Sequence, residues 1–195
     1  VNEEEVGDVI EEADILLAIR VSDALIKKAS KLKWIQCMIT GVNYITELPS
    51  FRKEVLLTSS RGIHGPQVSE LVFLHMLALN RKFPMLVRNQ DRRVWDSRPS
   101  PLLYKKNVGI LGLGVIGQEI ARKCKAFGMT VYGIDLLKIK IDSVDYAYGP
   151  QALIEVLREV DYFINVVPST AENQNMIGAR EFAAMKPTAF FVNVG

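Results

Sequence analysis

Three glycines in one short segment have the spacing of a loop that holds phosphate groups. The segment reads Gly-Leu-Gly-Val-Ile-Gly, the pattern G-x-G-x-x-G. In such a loop Gly112 permits a tight turn, Gly114 lets the backbone approach a pyrophosphate, and Gly117 lets a helix pack closely on a strand. The helix would begin at Val115 and Ile116, where free N–H groups and the positive end of the helix dipole favour phosphates. The segment therefore predicts a dinucleotide site.

An acidic residue stands where a bound dinucleotide would place a ribose. Asp135 comes at the end of the strand predicted after this loop, 18 residues after Gly117, close to the spacing of about 20 that the fingerprint requires. A carboxylate there accepts hydrogen bonds from the ribose hydroxyls and repels a 2′-phosphate, which predicts NAD rather than NADP. The alternative is a glycine-rich turn of another α/β protein. The order of strand, loop, helix and acid favours the dinucleotide site.

The two histidines are candidates for proton transfer, but their surroundings favour other interpretations. His64 lies in a loop ahead of a long apolar helix and is predicted to be solvated. His75 lies among apolar residues of that helix and is predicted to be a buried, hydrogen-bonded group. Neither has a carboxylate close by in sequence that would mark an acid–base pair. We therefore assign no catalytic residue from these patterns.

The elements that would position these residues alternate between strand and helix along the whole sequence. Such alternation predicts an α/β fold with parallel sheets, in which the glycine loop belongs to a Rossmann-type doubly wound sheet. Strands are predicted at residues 13–19, 34–39, 55–58, 107–113, 129–134, 144–147, 162–167 and 188–194. Helices are predicted at residues 22–30, 66–81, 115–127, 150–158 and 179–185, with Ser22 as an N-cap and Gly128 as a C-terminal stop.

Composition and charge argue against several other classes of protein. Hydrophobic residues make up 49% of the sequence, charged residues 24%, and the net charge is +2. These values are ordinary for a globular protein and give no general attraction to nucleic acid or membranes. The longest apolar run, residues 71–79, is too short to span a bilayer. Cys37 and Cys124 lack CxxC spacing, so we expect no disulfide, no metal site and a cytoplasmic location.

Two segments stand outside this simple pattern. The helix predicted from Pro66 is apolar on nearly every face over residues 68–79, so it must be covered by two domains or by a partner subunit. The basic stretch after it, residues 88–98, is interleaved with Asp91 and Asp96. A nucleic-acid interpretation is possible there, but a solvated connection is favoured. The sequence also starts without Met and stops on an apolar strand, which leads us to expect a fragment.

The order of motifs resembles the D-isomer-specific 2-hydroxyacid dehydrogenase family almost from end to end. Residues 40–43, Thr-Gly-Val-Asn, resemble the family's substrate loop, and residues 108–135 are very close to its cofactor signature. Residues 67–70, Gln-Val-Ser-Glu, resemble the start of its inter-domain helix, with Ser69 in place of the usual alanine. Further matches are found at residues 34–36, 167–170 and 185–195, whereas Asn173 stands where a threonine is common.

The resemblance implies roles for residues that the patterns alone leave unassigned. The backbone amides of Gly41 and Val42 would hold a substrate carboxylate, and Val68 would face the nicotinamide. The segment with Val167, Pro168 and Thr170 would wall the adenine and ribose. The segment that approaches the family's catalytic arginine would also border the cofactor, and it ends with Asn193, Val194 and Gly195. The implied partner is a small 2-hydroxy or 2-keto acid, which exchanges hydride with NAD(H).

The resemblance also implies a domain organisation. Residues 1–62 would be part of a smaller, flavodoxin-like substrate domain, residues 63–101 an inter-domain helix and dimerisation arm, and residues 102–195 the NAD-binding Rossmann domain. A homodimer is expected, with residues 68–79 and Trp95 at or near its interface. The family's catalytic arginine, glutamate and histidine would follow Gly195, so no catalytic residue is assigned and the chain as given is expected to be inactive.

Two other functions remain open at this point. One is a co-repressor-like protein that binds NAD as a sensor without turnover, as some relatives with this fold do, although nothing in the sequence identifies their peptide-docking surface. The other is an unrelated Rossmann enzyme, which the matches at the substrate loop and at Val68 disfavour. Fold alone does not decide between such functions.

Overall fold

The computed structural model describes residues 3–97, 99–136 and 140–195. The chain divides into two compact units, Val1–Ile63 and His64–Gly195. Each unit contains its own sheet, and all strands in both sheets are parallel. The prediction of an α/β, Rossmann-type fold with parallel sheets is therefore confirmed. The functional roles proposed for the segments remain predictions.

The first unit contains a three-stranded sheet in the order β1-β2-β3. Its elements are α1 (Glu3–Val6), α2 (Val9–Glu12), β1 (Ile15–Ala18), α3 (Asp23–Lys28), β2 (Trp34–Cys37), α4 (Asn43–Thr46) and β3 (Leu56–Ser59). Ser22 caps α3 as predicted, because its Oγ accepts a hydrogen bond from the Leu25 N–H at 3.2 Å. The core includes Ile26, Ile35 and Ile45.

The second unit contains a five-stranded sheet in the order β6-β5-β4-β7-β8. Its strands are β4 (Asn107–Leu111), β5 (Thr130–Ile134), β6 (Tyr146–Tyr148), β7 (Tyr162–Asn165) and β8 (Phe190–Asn193). The helices are α5 (Gly65–Asn80), α6 (Phe83–Asp91), α7 (Val115–Ala126), α8 (Leu153–Glu159) and α9 (Ala179–Ala184). The chain moves outward from β4 to β6 and then returns to the other side of β4. This is the doubly wound order, and its switch point lies between β4 and β7.

Both faces of this second sheet are covered. Val108 and Ile110 of β4 lie in one apolar cluster with residues of α5 and α7. Leu111 and Phe163 lie in another cluster with residues of α8. A parallel sheet covered on both faces needs nearly continuous apolar strands, which is what residues 107–111 supply.

Helix α5 begins as predicted, with Pro66 in its first turn, and one of its faces packs into the core. Val72 and Met76 are fully buried, whereas Leu74 is 61% exposed. His75 is exposed as well, so the prediction that it is buried is wrong. The spacing of buried residues along α5 places one face in the core and leaves His75 on the other side of the helix.

The basic stretch contains a helix that the sequence interpretation missed. Its first four residues, 88–91, belong to α6, which follows a left-handed turn at Lys82 (φ 51°) and has a proline in its first turn. None of the residues of α6 is buried. The charges suggested a solvated connection, but this segment also contains good helix formers behind a proline that is compatible with a helix start. Within the described residues, no helix is long and apolar enough to cross a membrane.

Candidate functional site

The glycine loop joins β4 to α7 at the carboxyl edge of the five-stranded sheet. Gly112 has a φ of +98°, a conformation that side chains disfavour. A Cβ atom at Gly117 would lie 1.9 Å from the Gly112 carbonyl oxygen, so only glycine fits there. A Cβ atom at Gly114 would meet nothing within 4 Å, although Gly114 is the N-cap of α7. Two glycines are thus required by the fold, and the third leaves open space before the helix.

Asp135 is joined directly to this loop. Its Oδ2 accepts a hydrogen bond from the Leu113 N–H at 2.6 Å, and its own N–H donates to the Tyr148 carbonyl at 3.1 Å. Strand β5 places Asp135 one residue beyond its last paired position, beside β4. The sequence analysis predicted that Asp135 lies near a ribose. It could not predict the hydrogen bond from the Leu113 N–H, because that bond depends on the register of β4 and β5.

The segments after β7 and β8 complete the same edge. A Cβ atom at Gly195 would lie 2.2 Å from the Val167 carbonyl oxygen, and one at Gly112 would lie 3.2 Å from the Val167 nitrogen. The backbone of Val167 therefore lies close to the backbones of both glycines. Three of the predicted cofactor residues are brought together in this way.

The turn that contains Thr170 is organised by the residue that departs from the family pattern. Asn173 Oδ1 accepts from the Thr170 N–H at 2.8 Å, and Asn173 Nδ2 donates to the Pro168 carbonyl at 2.6 Å. Glu172 lies in the same turn, where its own backbone N–H and then the Thr170 hydroxyl hold the pKa of its carboxyl below the usual value. The sequence analysis did not single out Glu172.

The predicted substrate loop belongs to the first unit. Gly41 is exposed with open space around its Cβ position, and Val42 precedes α4 as its N-cap. Behind them, the Tyr44 hydroxyl donates to the Ile19 carbonyl at 2.5 Å and lies 3.4 Å from Cys37 Sγ. Burial, followed by the hydrogen bond with Cys37, raises the pKa of Tyr44 to about 12. Tyr44 therefore stays protonated and ties the segment after β2 to the end of β1.

The start of α5 carries Val68 and His64, one helical turn apart. The Val68 N–H donates to the His64 carbonyl at 3.1 Å, and Val68 itself is half-buried. Among the described residues, His64 Nε2 is a buried side-chain atom without a hydrogen-bond partner. The prediction that His64 is solvated is therefore wrong at this atom. A buried polar atom without a partner is uncommon, so His64 is a candidate that the sequence analysis underrated.

The geometry at this edge fits a dinucleotide. The loop has open space at Gly114, an adjacent helix start, and a carboxylate fixed beside it. By contrast, no group of three metal-ligating side chains occurs within residues 3–97, 99–136 and 140–195. Fold and site together define a Rossmann-type dinucleotide-binding unit.

Comparisons with known proteins identify the family. The family model for the "D-isomer specific 2-hydroxyacid dehydrogenase, NAD binding domain" matches residues 73–195. The D-3-phosphoglycerate dehydrogenase of Methanocaldococcus jannaschii is 31% identical over 198 residues, which cover 97% of this chain and 37% of that protein. The chain belongs to the D-isomer specific 2-hydroxyacid dehydrogenase family, so the resemblance noted from the sequence is confirmed. A nicotinamide dinucleotide is the cofactor of this family's domain.

Two solved structures are similar as well. A D-isomer specific 2-hydroxyacid dehydrogenase family protein from Aeromonas salmonicida is 37% identical with a TM-score of 0.91, over 100% of this chain and 63% of that one. The NADPH-dependent glyoxylate/hydroxypyruvate reductase of Sinorhizobium meliloti, solved with NADP and sulfate, is 26% identical with a TM-score of 0.81, over 93% of this chain and 59% of that one. The chain thus spans less than two thirds of the length of these relatives.

Proposed function

We propose that the second unit binds NAD(H) at the glycine loop. We propose further that the whole protein transfers hydride between this cofactor and a small 2-hydroxy or 2-keto acid. The observation that carries the proposal is the 2.6 Å hydrogen bond from the Leu113 N–H to Asp135 Oδ2. It fixes a carboxylate beside the loop that would hold the pyrophosphate. When bound, the nicotinamide supplies hydride chemistry, and the residues of this chain bind and orient it.

The same carboxylate favours NAD over NADP. With Oδ2 held by the Leu113 N–H, Asp135 would meet the 2′-phosphate of NADP with like charge, whereas ribose hydroxyls can donate to it. The reductase of Sinorhizobium meliloti, in contrast, was solved with NADP. This difference makes cofactor preference a direct test of the role of Asp135.

The first unit would bind the acid group of the substrate. In this proposal the backbone amides of Gly41 and Val42 donate to the substrate carboxylate, since backbone N–H groups in an open loop suit an anion. Gly41 is exposed, and the space around it is open. The Tyr44 bond to the Ile19 carbonyl would keep this segment in place without taking part in proton transfer.

No catalytic acid or base is assigned among the described residues. Burial raises the pKa of the Cys124 thiol to about 12, so it is not a nucleophile at neutral pH. We propose that the 195-residue chain binds NAD(H) without measurable turnover, because a site without a general acid or base is slower by roughly two to four orders of magnitude. NADH oxidation with glyoxylate or hydroxypyruvate tests this. Robust turnover would make His64, with its buried Nε2, the first candidate for the acid.

Titration with the two cofactors tests the proposed site. We expect NADH to bind more tightly than NADPH when cofactor fluorescence is followed at fixed ionic strength. Equal affinities would remove the assignment of Asp135 to the ribose, and no binding of either cofactor would overturn the proposed function. NADH binding without turnover in any form of the protein would instead favour the co-repressor-like alternative.

We also propose that the protein forms a homodimer through the exposed side of α5 and the residues after α6. Leu71, Leu74 and Leu77 of α5 are 44%, 61% and 37% exposed, and Trp95 after α6 is 91% exposed. Large exposed apolar side chains that cluster along one helix mark interaction surfaces. Light scattering at tens of micromolar should give twice the mass of one chain. For Leu74→Glu the measured mass should fall to that of one chain. A monomeric wild-type protein would contradict the proposal.

A further inference from the structure

Two asparagines at the carboxyl edge of the five-stranded sheet form a hydrogen-bonded pair. Asn165 ends β7, Asn193 ends β8, and the two are partners in the parallel ladder. Asn165 Nδ2 donates to Asn193 Oδ1 at 2.9 Å. On its other side, Asn165 is the ladder partner of Leu111, which directly precedes the glycine loop. The pair therefore lies beside the proposed cofactor site, and the sequence analysis assigned no role to Asn165.

Two backbone N–H groups determine the direction of this pair. The Val167 N–H donates to Asn165 Oδ1 at 3.4 Å, which leaves Nδ2 of Asn165 to face its neighbour. The Gly195 N–H donates to Asn193 Oδ1, also at 3.4 Å. A backbone N–H can only donate, so both carboxamides are held in one of their two possible orientations.

The orientation decides what Asn193 offers to a ligand. Its Oδ1 accepts two hydrogen bonds, which is the capacity of an amide oxygen. Its Nδ2 has no hydrogen-bond partner in the part of the chain that the structure describes, and the residue is exposed. Asn193 therefore presents two donor hydrogens and no free acceptor. Such a group matches an acceptor oxygen, which a dinucleotide carries on its phosphates, its riboses and its nicotinamide carboxamide.

We propose that Asn165 is a positioning residue of the cofactor site: it orients the Asn193 carboxamide so that Asn193 Nδ2 donates to an acceptor oxygen of the dinucleotide. The inference rests on the proposed function, because it concerns the same cofactor. It adds a residue that would not touch the cofactor and a direction for the hydrogen bond that Asn193 would make.

Asn165→Asp is the sharpest test. An aspartate keeps the acceptor for the Val167 N–H but cannot donate, so it favours the reversed orientation of Asn193, in which Nδ2 faces position 165 and Oδ1 faces the cofactor. We expect the Kd for NADH to rise about tenfold in Asn165→Asp and about threefold in Asn165→Leu, which removes the donor to Asn193 Oδ1 but leaves the bond from the Gly195 N–H. A matched control is Asn107→Leu. Asn107 Nδ2 donates to the Glu159 carbonyl at 2.9 Å and lies at the opposite, amino end of β4.

The outcomes separate positioning from a general loss of stability. Asn107→Leu should lower the melting temperature as Asn165→Leu does but leave the Kd for NADH unchanged. In wild type, NADH should shift the side-chain amide NMR signals of Asn193, and in Asn165→Asp it should not. An unchanged Kd in both Asn165 variants overturns the inference while the proposed function stands. A wild-type chain that binds neither NADH nor NADPH overturns both.

Discussion

Gly41 in the first unit and Gly117 in the second both lie in segments that follow a strand of a parallel sheet, yet their surroundings differ. A Cβ atom at Gly41 would meet nothing within 4 Å, whereas one at Gly117 would lie 1.9 Å from the Gly112 carbonyl oxygen. The fold therefore fixes the cofactor loop before any ligand arrives. The proposed substrate loop has no such constraint at its glycine and depends on bonds behind it, such as that from Tyr44 to the Ile19 carbonyl.

The two sheets show the same difference. Strand β4 is covered on both faces, with Val108 and Ile110 fully buried. In β1, Leu17 is 63% exposed and alternates with half-buried residues. A strand with one covered face contributes less to stability than a strand buried on both faces, because less apolar surface is removed from water. The cofactor edge thus rests on the more completely buried sheet.

The largest expected effect is that of Gly117→Ala. The added methyl group would overlap the Gly112 carbonyl, a backbone atom that cannot move without opening the loop. We expect a loss of several kcal/mol in the free energy of unfolding, roughly 3 or more, or failure to fold. Gly41→Ala is the control, and its thermal unfolding should match wild type because its site is open. Equal melting temperatures for the two variants would contradict the proposed difference in steric constraint between Gly117 and Gly41.

Gly114→Ala sharpens the same contrast by separating folding from binding. No atom lies within 4 Å of its Cβ position, so thermal unfolding should change by no more than the ~1 kcal/mol that alanine costs at an N-cap. The Kd for NADH should rise about tenfold or more, because the methyl group would occupy the space reserved for the pyrophosphate. Fluorescence titration and thermal melts on one preparation measure both quantities. Unaltered NADH affinity would show that the cofactor does not approach Gly114.

Hydrogen exchange tests the contrast between the sheets without any substitution. We expect the amides of Val108, Ile110 and Ile164 to exchange about tenfold or more slowly than those of Leu16 and Leu57. Val108, Ile110 and Ile164 are each 0% exposed, whereas Leu16 and Leu57 are half-buried in strands that also contain exposed residues. Equal protection in both sheets would mean that the units open together, and the difference in burial would then have no energetic consequence.

Asp135→Asn should have a moderate effect that is specific to the cofactor. An asparagine can still accept from the Leu113 N–H, but it no longer repels a 2′-phosphate. We expect the ratio of the NADPH and NADH dissociation constants to fall about tenfold, with little change in stability. Asp142→Asn removes an equal charge from an exposed position of the following segment and should leave the ratio unchanged. If wild type, Asp135→Asn and Asp142→Asn have similar ratios of the two dissociation constants, Asp135 does not contact the ribose.

The parts of the structure that the sequence predicted are those with local causes. The glycine loop was predictable because steric constraints within one strand–helix connection require glycine at positions 112 and 117. The Ser22 cap was predictable because its partner, Leu25, is three residues away. In both cases the residue type and its neighbours in sequence contain the whole physical reason.

The parts that were missed depend on distant partners. The Asp135 bond to the Leu113 N–H and the pairing of Asn165 with Asn193 exist only when strands far apart in sequence align. The exposure of His75 depends on which side of α5 packs on the sheet, and an almost wholly apolar helix gives no pattern to decide this. Residue types alone do not encode these alignments.

The smallest expected effect compares one ion pair from each unit. In the second unit, Asp145 binds Lys125 Nζ at 2.7 Å and accepts from the Val131 N–H at 2.8 Å. Burial raises the pKa of Asp145, but the Lys125 and Val131 hydrogen bonds outweigh it and lower the pKa below 3.8. In the first unit, Asp14 binds Lys33 at 2.8 Å with both side chains exposed, and the Lys33 hydrogen bond lowers its pKa as well.

Asp145→Asn should therefore lower the free energy of unfolding at pH 7 by about 0.5 kcal/mol, a value limited by solvent screening at a pair that is one third exposed. Because the folded-state pKa of Asp145 is depressed, its stabilisation is complete above pH 3.8 and is lost as the pH falls through the lower, folded value. The difference between wild type and Asp145→Asn should shrink below pH 3.8 in urea titrations. Asp14→Asn should show no measurable change in the free energy of unfolding at pH 7, since water solvates this exposed carboxylate about as well as Lys33 does. If Asp14→Asn proves as destabilising as Asp145→Asn, partial burial and the Val131 N–H add nothing to the pair in the second unit.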